Sequence, residues 1–429
     1  MPKPMACQQL LLGLKYQVMF LIRCLGAFLA VCWLASCASQ QPGSFEALDL
    51  SQGGPLRLGI DVLEANQFDL LRGKRVGLIT NQTSVDSMGR PTRVAMQRGG
   101  VRLVALYAPE HGIDGTVVAG QHFGTRRDSV TGLLVHSLYG DTRKPTPAML
   151  APIDVLVFDL QDIGCRSYTY ISTMVVAMEA CAQQGKEFVV LDRPNPLGGW
   201  RVEGPPVANG FKSFVSQIPT PYVHGMTSGE LAMMACGEGW IPRPRLHVVK
   251  MQGWSRGMVW ESTGLRWRRT SPNIPHASSP AYYVATGILG GASGVDVGIG
   301  TENPFGYAGA AGVNPGAFTD ACRRAGFSGV SFTPYASKGC GGAKIQMDTT
   351  CHASLTAMAV FFVAELNHET HGSTLGRMHG DELSLFNKVY GSDQLRRGLM
   401  HGVPARSIVA SWKGYEEGFK SRRQRYLLY

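Results

Sequence analysis

The chain has 429 residues, 44% of them hydrophobic and 17% charged, with 53 glycines and a formal net charge of +10. That composition excludes a disordered or fibrous protein, and the length is more than one hydrophobic core usually serves, so two domains are expected. The excess of basic over acidic residues suits the neighbourhood of anionic lipid or cell wall, whereas no basic run interleaved with aromatics is present to imply a nucleic-acid partner.

Residues 1–37 hold Lys3, Lys15 and Arg23, no acid, and then the apolar stretch from Leu25 to Leu34. This is too short for a permanent bilayer span and has the layout of a secretory signal. It ends Leu34-Ala35-Ser36-Cys37, which resembles the lipobox of bacterial lipoproteins, where the cysteine becomes the lipidated first residue. Met19 would start a compact signal of its own. Cleavage lowers the formal charge from +10 to +7. Residues 38–56 read as a tether, and Ala38 lacks the aspartate associated with inner-membrane retention, so an exported protein anchored to the outer membrane is expected. Besides Cys37, six cysteines remain, an even count that permits disulfides in an oxidising compartment. Cys340 and Cys351, around a short strand-like segment, are the first guess for a pair; Cys165 and Cys181, around an apolar helix, read as buried thiols. There is no Cys-x-x-Cys, so a zinc ribbon is not implied.

From 59 to about 250, within a first domain expected over 57–265, strand and helix alternate. Strands are predicted at 75–80, 101–107, 132–138, 153–159, 187–192 and 246–251, helices at about 90–99, 168–184 and 227–237. Continuous apolar strands such as Val155-Leu156-Val157-Phe158 belong to a sheet covered on both faces, which makes this part an α/β, Rossmann-like doubly wound domain. No Gly-x-Gly-x-x-Gly follows the first strand, where Leu78-Ile79-Thr80-Asn81-Gln82-Thr83 stands, so no dinucleotide cofactor is implied. The segment Gly287 to Gly300 lacks the Lys-Ser/Thr ending of a phosphate loop. After Trp254 the texture changes, and residues 266–429 mix helices, as at 352–367, with short strands. They read as a smaller α+β domain closing over the first, with a cleft between them.

In open α/β sheets ligands bind beyond the carboxyl ends of the strands. Asn81, Glu110, His111, Asp159, Asp162, Asp192 and Arg193 all stand at such ends. Glu110, in Pro109-Glu110-His111-Gly112, is the best candidate for proton transfer. Asp162 or Asp159 is the candidate partner, because two carboxylates across a cleft are what glycoside hydrolysis uses. Arg166 and Arg193 can grip a carboxylate in a bidentate fork, or pair instead with Asp162 and Asp192. His224 stands beside a glycine and is a further polar candidate, while Thr227-Ser228-Gly229-Glu230 reads as a helix cap that makes Glu230 structural. A metal reading rests on Glu110, His111, Asp114 and His122, whose spacing matches no established helical zinc motif.

Taken together, Gly59-Ile60-Asp61-Val62-Leu63, Val76 to Thr83, Pro109-Glu110-His111-Gly112, Ser137-Leu138-Tyr139-Gly140 with Arg143-Lys144-Pro145-Thr146, and Phe158-Asp159-Leu160-Gln161-Asp162 resemble an exported bacterial family. Tyr168-Thr169-Tyr170, Asp192-Arg193-Pro194-Asn195-Pro196, Val202-Glu203-Gly204-Pro205, His224-Gly225-Met226-Thr227, Ser271-Pro272-Asn273, Thr301 to Phe305 and Arg425 to Tyr429 continue the likeness. The family is that of the NamZ-type exo-β-N-acetylmuramidases, formerly a domain of unknown function. The resemblance runs from about 57 to 429 and implies a Rossmann-like domain, a subordinate domain and a cleft between them. It also implies removal of N-acetylmuramic acid from the non-reducing ends of peptidoglycan fragments, without a cofactor. Glu110 is then the catalytic residue, with either Asp162 or a group of the substrate as second catalyst. The lactyl carboxylate of muramic acid gives Arg166 or Arg193 a purpose, and Asn81, His111, Asp159 and His224 are the further substrate contacts expected. One region departs from the pattern: Gly291-Ala292-Ser293-Gly294 and Gly298-Ile299-Gly300-Thr301 stand where Glu-Gly-Thr-Asn and Gly-Arg-Gly-Thr are expected, and Glu302 either substitutes for the lost carboxylate or is the turn residue before Asn303-Pro304. The competing readings are a wall-binding lipoprotein without catalysis and a metal-dependent wall hydrolase.

Overall fold

Apolar runs four to six residues long, bounded by turns, set most of the architecture. The computed structural model describes residues 56–429 apart from Ser293 and Lys338; the signal segment, Cys37 and the tether up to residue 55 lie outside the described residues. β1 (Val76–Ile79), β2 (Leu103–Ala108), β3 (Arg126–Arg127), β4 (Leu134–Ser137), β5 (Val155–Phe158), β6 (Glu187–Leu191) and β7 (Arg245–Val249) form one sheet in the order β3-β4-β2-β1-β5-β6-β7. All neighbours are parallel except β3 with β4. The six predicted strands are present to within two residues at each end. The short edge strand β3, two exposed arginines, carries no apolar signal and was not predicted.

Side chains alternate across a strand, and here both faces are buried. In β5, Val155 and Val157 point into a core with Ile60 and Leu63 of α1 (Gly59–Ala65) and Met96 of α2 (Thr92–Arg98). Leu156 and Phe158 point into the opposite core with Met174 and Met178 of α4 (Tyr170–Gln183) and Leu231 of α5 (Ser228–Gly237); the short α3 (Pro147–Leu150) lies between β4 and β5. β6 repeats the division, Phe188 and Val190 against Val189 and Leu191. Burying each such side chain contributes roughly 1.5–3 kcal/mol, and a shift of one residue in register would exchange the faces. Gly59 fixes how α1 meets the sheet: its N–H donates to the Asp192 carbonyl at 3.0 Å, and a Cβ there would lie 2.5 Å from the Asp192 nitrogen.

The second sheet is antiparallel, β8 (Val295–Asp296), β9 (Tyr307–Ala311), β10 (Val330–Ser337) and β11 (Cys340–Met347), in the order β10-β11-β9-β8. It packs with α6 (Ser279–Thr286), α7 (Pro315–Ala325) and α8 (Leu355–Glu369), and is followed by α9 (Ser373–Gly376), α10 (Gly380–Tyr390), α11 (Gln394–Met400), α12 (Ala405–Ala410) and α13 (Lys413–Arg423). Phe332, Ile345 and Phe362 from this part belong to the same core as Leu156 and Phe158. Cys340 and Cys351 are not bridged, a correction with a geometric cause: β11 carries the chain away from Cys340 at ~3.4 Å per residue, far past the ~7 Å Cα limit of a disulfide. Cys165 and Cys181 are buried, as expected.

Buried polar ties join the segments. Arg201 pairs with Glu203 at 2.6 Å and donates to the carbonyls of Cys351 and Ala353, while Glu203 accepts the Thr356 N–H at the start of α8. Glu230 forms the capping box of α5 with Thr227 and pairs with Arg256, as its structural reading required. The final residue, Tyr429, donates its hydroxyl to Asp192 at 2.8 Å. Among the described residues no helix is long and apolar enough to cross a membrane.

Candidate active site

β2 empties into Pro109 and Glu110, and the chain then reverses through two left-handed residues, His111 at φ 70° and Gly112 at φ 75°. That conformation is unusual for a non-glycine residue, costing roughly 1–2 kcal/mol. It is held because His111 Nδ1 donates to the Val117 carbonyl at 2.8 Å and the Val117 N–H donates to the His111 carbonyl at 3.1 Å. The returning loop brings the Gly120 N–H to Oε1 of Glu110 at 2.9 Å, and Thr169 donates its hydroxyl to Oε2 at 2.6 Å. Thr169 occupies the N-cap position of α4 but makes no capping bond with its side chain. The carboxyl group therefore sits at the positive end of a fourteen-residue helix, clamped from two sides and 6% exposed.

Glu110 opens into a cavity of about 360 Å³, at the low end of ligand pockets and suited to one sugar ring with its substituents. One wall comes from His111, Tyr139 and Ser167 to Thr169, and the other from Asn273, Tyr283 of α6, Phe305, and Leu385 and Phe386 of α10. Both sheets' segments thus contribute. The aromatic part is a connected cluster: Tyr168 and Tyr283 have ring centroids 6.2 Å apart, and Tyr283 and Phe305 4.9 Å apart. Burial, reinforced by the Glu110 charge, pushes the Tyr139 hydroxyl up to about 12. Among the described residues, Glu110 is the one carboxylate in the lining, and no lysine or arginine lines it.

Several expected site residues lie elsewhere. Asp159 and Arg193 form a buried bidentate pair, with Nε–Oδ1 2.5 Å and Nη2–Oδ2 2.9 Å, and Thr92 donates to the same carboxylate. The partner is Asp159 rather than Asp192, and neither group reaches the cavity. Arg166 spends its guanidinium on the carbonyls of Pro205, Thr220, Val389 and Tyr390, so a substrate carboxylate has no access to it. Asn81 donates to the Tyr170 hydroxyl and accepts from Thr83, and Tyr170 donates onward to the Thr270 carbonyl. Asn81 therefore braces the loop behind Asn273 instead of lining the cavity. His224 is buried with Nδ1 accepting from the Met226 N–H, and burial with Arg423 and Arg166 nearby pushes its pKa down to about 3. Asp162 is outside the lining, its Oδ2 accepting the Gly164 N–H at 2.7 Å, and burial pushes it up to about 7.

Glu302 is exposed on a neighbouring open groove that shares Asn273 with the cavity and includes Arg269 and His276. Of the three divergent positions, Gly291 lines the cavity, and Gly294 and Ile299 do not. The residues of the metal reading do not converge: Asp114 pairs with Arg126 and His122 meets the edge of Tyr139. No group of three metal-ligating side chains occurs among the described residues. A second hollow of about 140 Å³, beyond β1, β5 and β6, is lined by Thr83, Gln161, Arg193 and Trp260. Its carboxylate, Asp86, is held by Arg90, so Glu110 marks the better site.

Tyr283, Leu385 and Phe386 escaped the sequence reading because apolar and aromatic residues on helices look like ordinary core. Tyr139 and Thr169 did carry a signal, since both stand in the motifs quoted above.

Two family sequence models match the chain: "Exo-beta-N-acetylmuramidase NamZ, N-terminal" over residues 76–278 and "Exo-beta-N-acetylmuramidase NamZ, C-terminal" over 281–429. The chain is 37% identical over 385 residues to the peptidoglycan beta-N-acetylmuramidase NamZ of Bacillus subtilis (strain 168), covering 87% of this chain and 91% of that protein. It is similar to two solved DUF1343 family structures from Bacteroides fragilis. One is 42% identical with a TM-score of 0.80, covering 87% of this chain and 99% of that one. The other is 28% identical with a TM-score of 0.68, covering 88% and 99%. Glu110 and Tyr139 fall in the first matched segment and Tyr283 and Phe386 in the second, so the cavity is built from both. The chain belongs to the exo-β-N-acetylmuramidase NamZ family.

Proposed function

We propose that this protein is a glycoside hydrolase that removes N-acetylmuramic acid from the non-reducing ends of peptidoglycan fragments, with Glu110 as general acid. The observation that carries this reading is a clamped carboxyl group, Glu110, in a cavity the size of one sugar ring. Thr169 and Gly120 hold the carboxyl group where it delivers a proton to the departing glycosidic oxygen. With no second carboxylate among the described residues of the lining, the 2-acetamido group of the substrate takes the role of nucleophile at the anomeric carbon, as in substrate-assisted glycosidases. The acetamido oxygen bonds to C1 as the C1–O bond breaks, and water then opens the resulting ring to give free N-acetylmuramic acid. The rings of Tyr168, Tyr283 and Phe305 offer apolar faces to the pyranose, and Asn273 and Ser167 offer hydrogen bonds to its polar edge.

The larger part, 57–265, is read as Rossmann-like. Without β3 the strand order β4-β2-β1-β5-β6-β7 corresponds to the 3-2-1-4-5-6 order of doubly wound sheets, which supports that reading. Residues 266–429 are read as the subordinate domain. Export with lipidation at Cys37 places the enzyme beside its polymer, outside the cytoplasm. Mass spectrometry of unlabelled glycan chains digested by the soluble form, residues 38–429, tests the mode of attack: free N-acetylmuramic acid as first product fits exo cleavage, and internal fragments contradict it.

A further inference from the structure

Muramic acid differs from glucosamine by an anionic lactyl ether at C3, and a carboxylate drawn towards a half-enclosed cavity needs a cation or donors to replace its water. Among the described residues the lining provides no lysine or arginine. Both terminal nitrogens of the buried Arg166 are held by backbone carbonyls, with only its Nε left without a partner, and Arg193 is paired with Asp159. We propose that Arg143 reads the lactyl carboxylate and makes the site selective for muramic acid over glucosamine; this deepens the proposed function and rests on it.

Arg143 is exposed and outside the lining itself, but its guanidinium is held between two segments that reach the cavity. Its guanidinium carbon lies 4.8 Å from the ring centroid of Tyr139 and 4.9 Å from that of Phe214. Tyr139 is part of the lining, and Phe214 directly precedes Val215, which is too. Stacking of this kind fixes the plane of a guanidinium while leaving its N–H edge for a bidentate acceptor. Among the described residues no carboxylate lies within ion-pair distance of Arg143, and its hydrogen bonding is limited to a 3.5 Å contact from Nη2 to the Tyr139 hydroxyl. Its neighbour Lys144, by contrast, is engaged with Glu179 at 3.4 Å. The Tyr139 hydroxyl feels both Glu110 and Arg143. Proton donor and anion reader thus flank one tyrosine, as the leaving oxygen on C1 and the lactyl ether on C3 flank one edge of the pyranose.

The test compares wild type, Arg143→Met and Arg143→Lys on three chromogenic substrates: the N-acetylmuramide, its lactyl amide, in which the charge is removed, and the N-acetylglucosaminide. Arg143→Met should raise KM for the muramide about 10- to 100-fold, leave kcat within about threefold, and leave both uncharged substrates unaffected. Arg143→Lys should recover part of the loss. Equal losses on all three substrates, or an unchanged KM for the muramide, would overturn the assignment. Calorimetric titration of the same proteins with free N-acetylmuramic acid and N-acetylglucosamine separates the two layers of argument. If wild type turns over no substrate, the function fails; Arg143 then stands if wild type prefers the acid and Arg143→Met does not, and falls if both bind the two sugars alike.

Discussion

Glu110 owes its position to residues that do no chemistry. The left-handed turn at His111 and Gly112 folds the chain back so that Gly120 reaches one carboxyl oxygen, and Thr169 gives up its capping role to hold the other. Glu110→Gln keeps the shape and removes the transferable proton, so turnover should fall by at least ~100-fold with thermal stability within a few degrees of wild type. Thr169→Val removes the 2.6 Å bond without a change in volume. It should lower kcat about 10-fold and leave KM near its original value, which steady-state kinetics reads directly.

Asp162 makes a prediction of a different kind. Burial raises its carboxyl from the ordinary carboxylate range to about 7. Between pH 4 and 7 the folded state keeps that proton while the unfolded chain has lost it, so the group's contribution to stability falls as pH rises through this window. Asp162→Asn should therefore melt higher than wild type at pH 8, with the advantage shrinking towards pH 4, as differential scanning calorimetry across pH would register. A variant whose advantage does not change with pH would contradict the assignment.

At the scale of elements, the predicted strands β1, β2, β4, β5, β6 and β7 were legible because fully buried parallel strands are continuous apolar runs with abrupt polar ends. Their spatial order was not legible, since alternation shows that helices cover both faces but does not rank the strands. The same limit explains the site. Glu110 could be read because its strand, turn and carboxylate lie within a few residues of one another. Arg166 and Arg193 were misread because their partners are distant in sequence: Asp159 for one, and carbonyls as far away as Tyr390 for the other. A strand-end arginine looks available until its partners are known. Arg166 is a strut between the loops at Pro205 and Thr220 and the end of α10. Arg166→Met leaves these carbonyls without their donor, at about 1–3 kcal/mol for each group left unsatisfied. It should lower the melting temperature by several degrees while the folded fraction keeps the wild-type KM.

At the scale of the molecule, two sheets of different kinds share one hydrophobic core and build one cavity. The proposed proton donor, Glu110, comes from the loop beyond the parallel sheet, and the apolar wall comes largely from α6 and α10 of the later segments. The Arg201–Glu203 pair and the Tyr429–Asp192 bond tie those segments back, so the wall is set by the fold of the whole 56–429 unit. The reading of the N-terminus adds a prediction at this scale. Cys37→Ala in the full chain should move the protein from the membrane fraction to the soluble exported fraction, which fractionation and immunoblotting would check. Release of chromophore from an N-acetylmuramide by the soluble form, wild type beside Glu110→Gln, with the matching N-acetylglucosaminide as control, shows whether Glu110 drives muramide cleavage. Wild type should release chromophore from the muramide and little from the glucosaminide, and the variant should lose nearly all of that release. Turnover by Glu110→Gln at the wild-type rate, or no preference for the muramide, would contradict the proposed function.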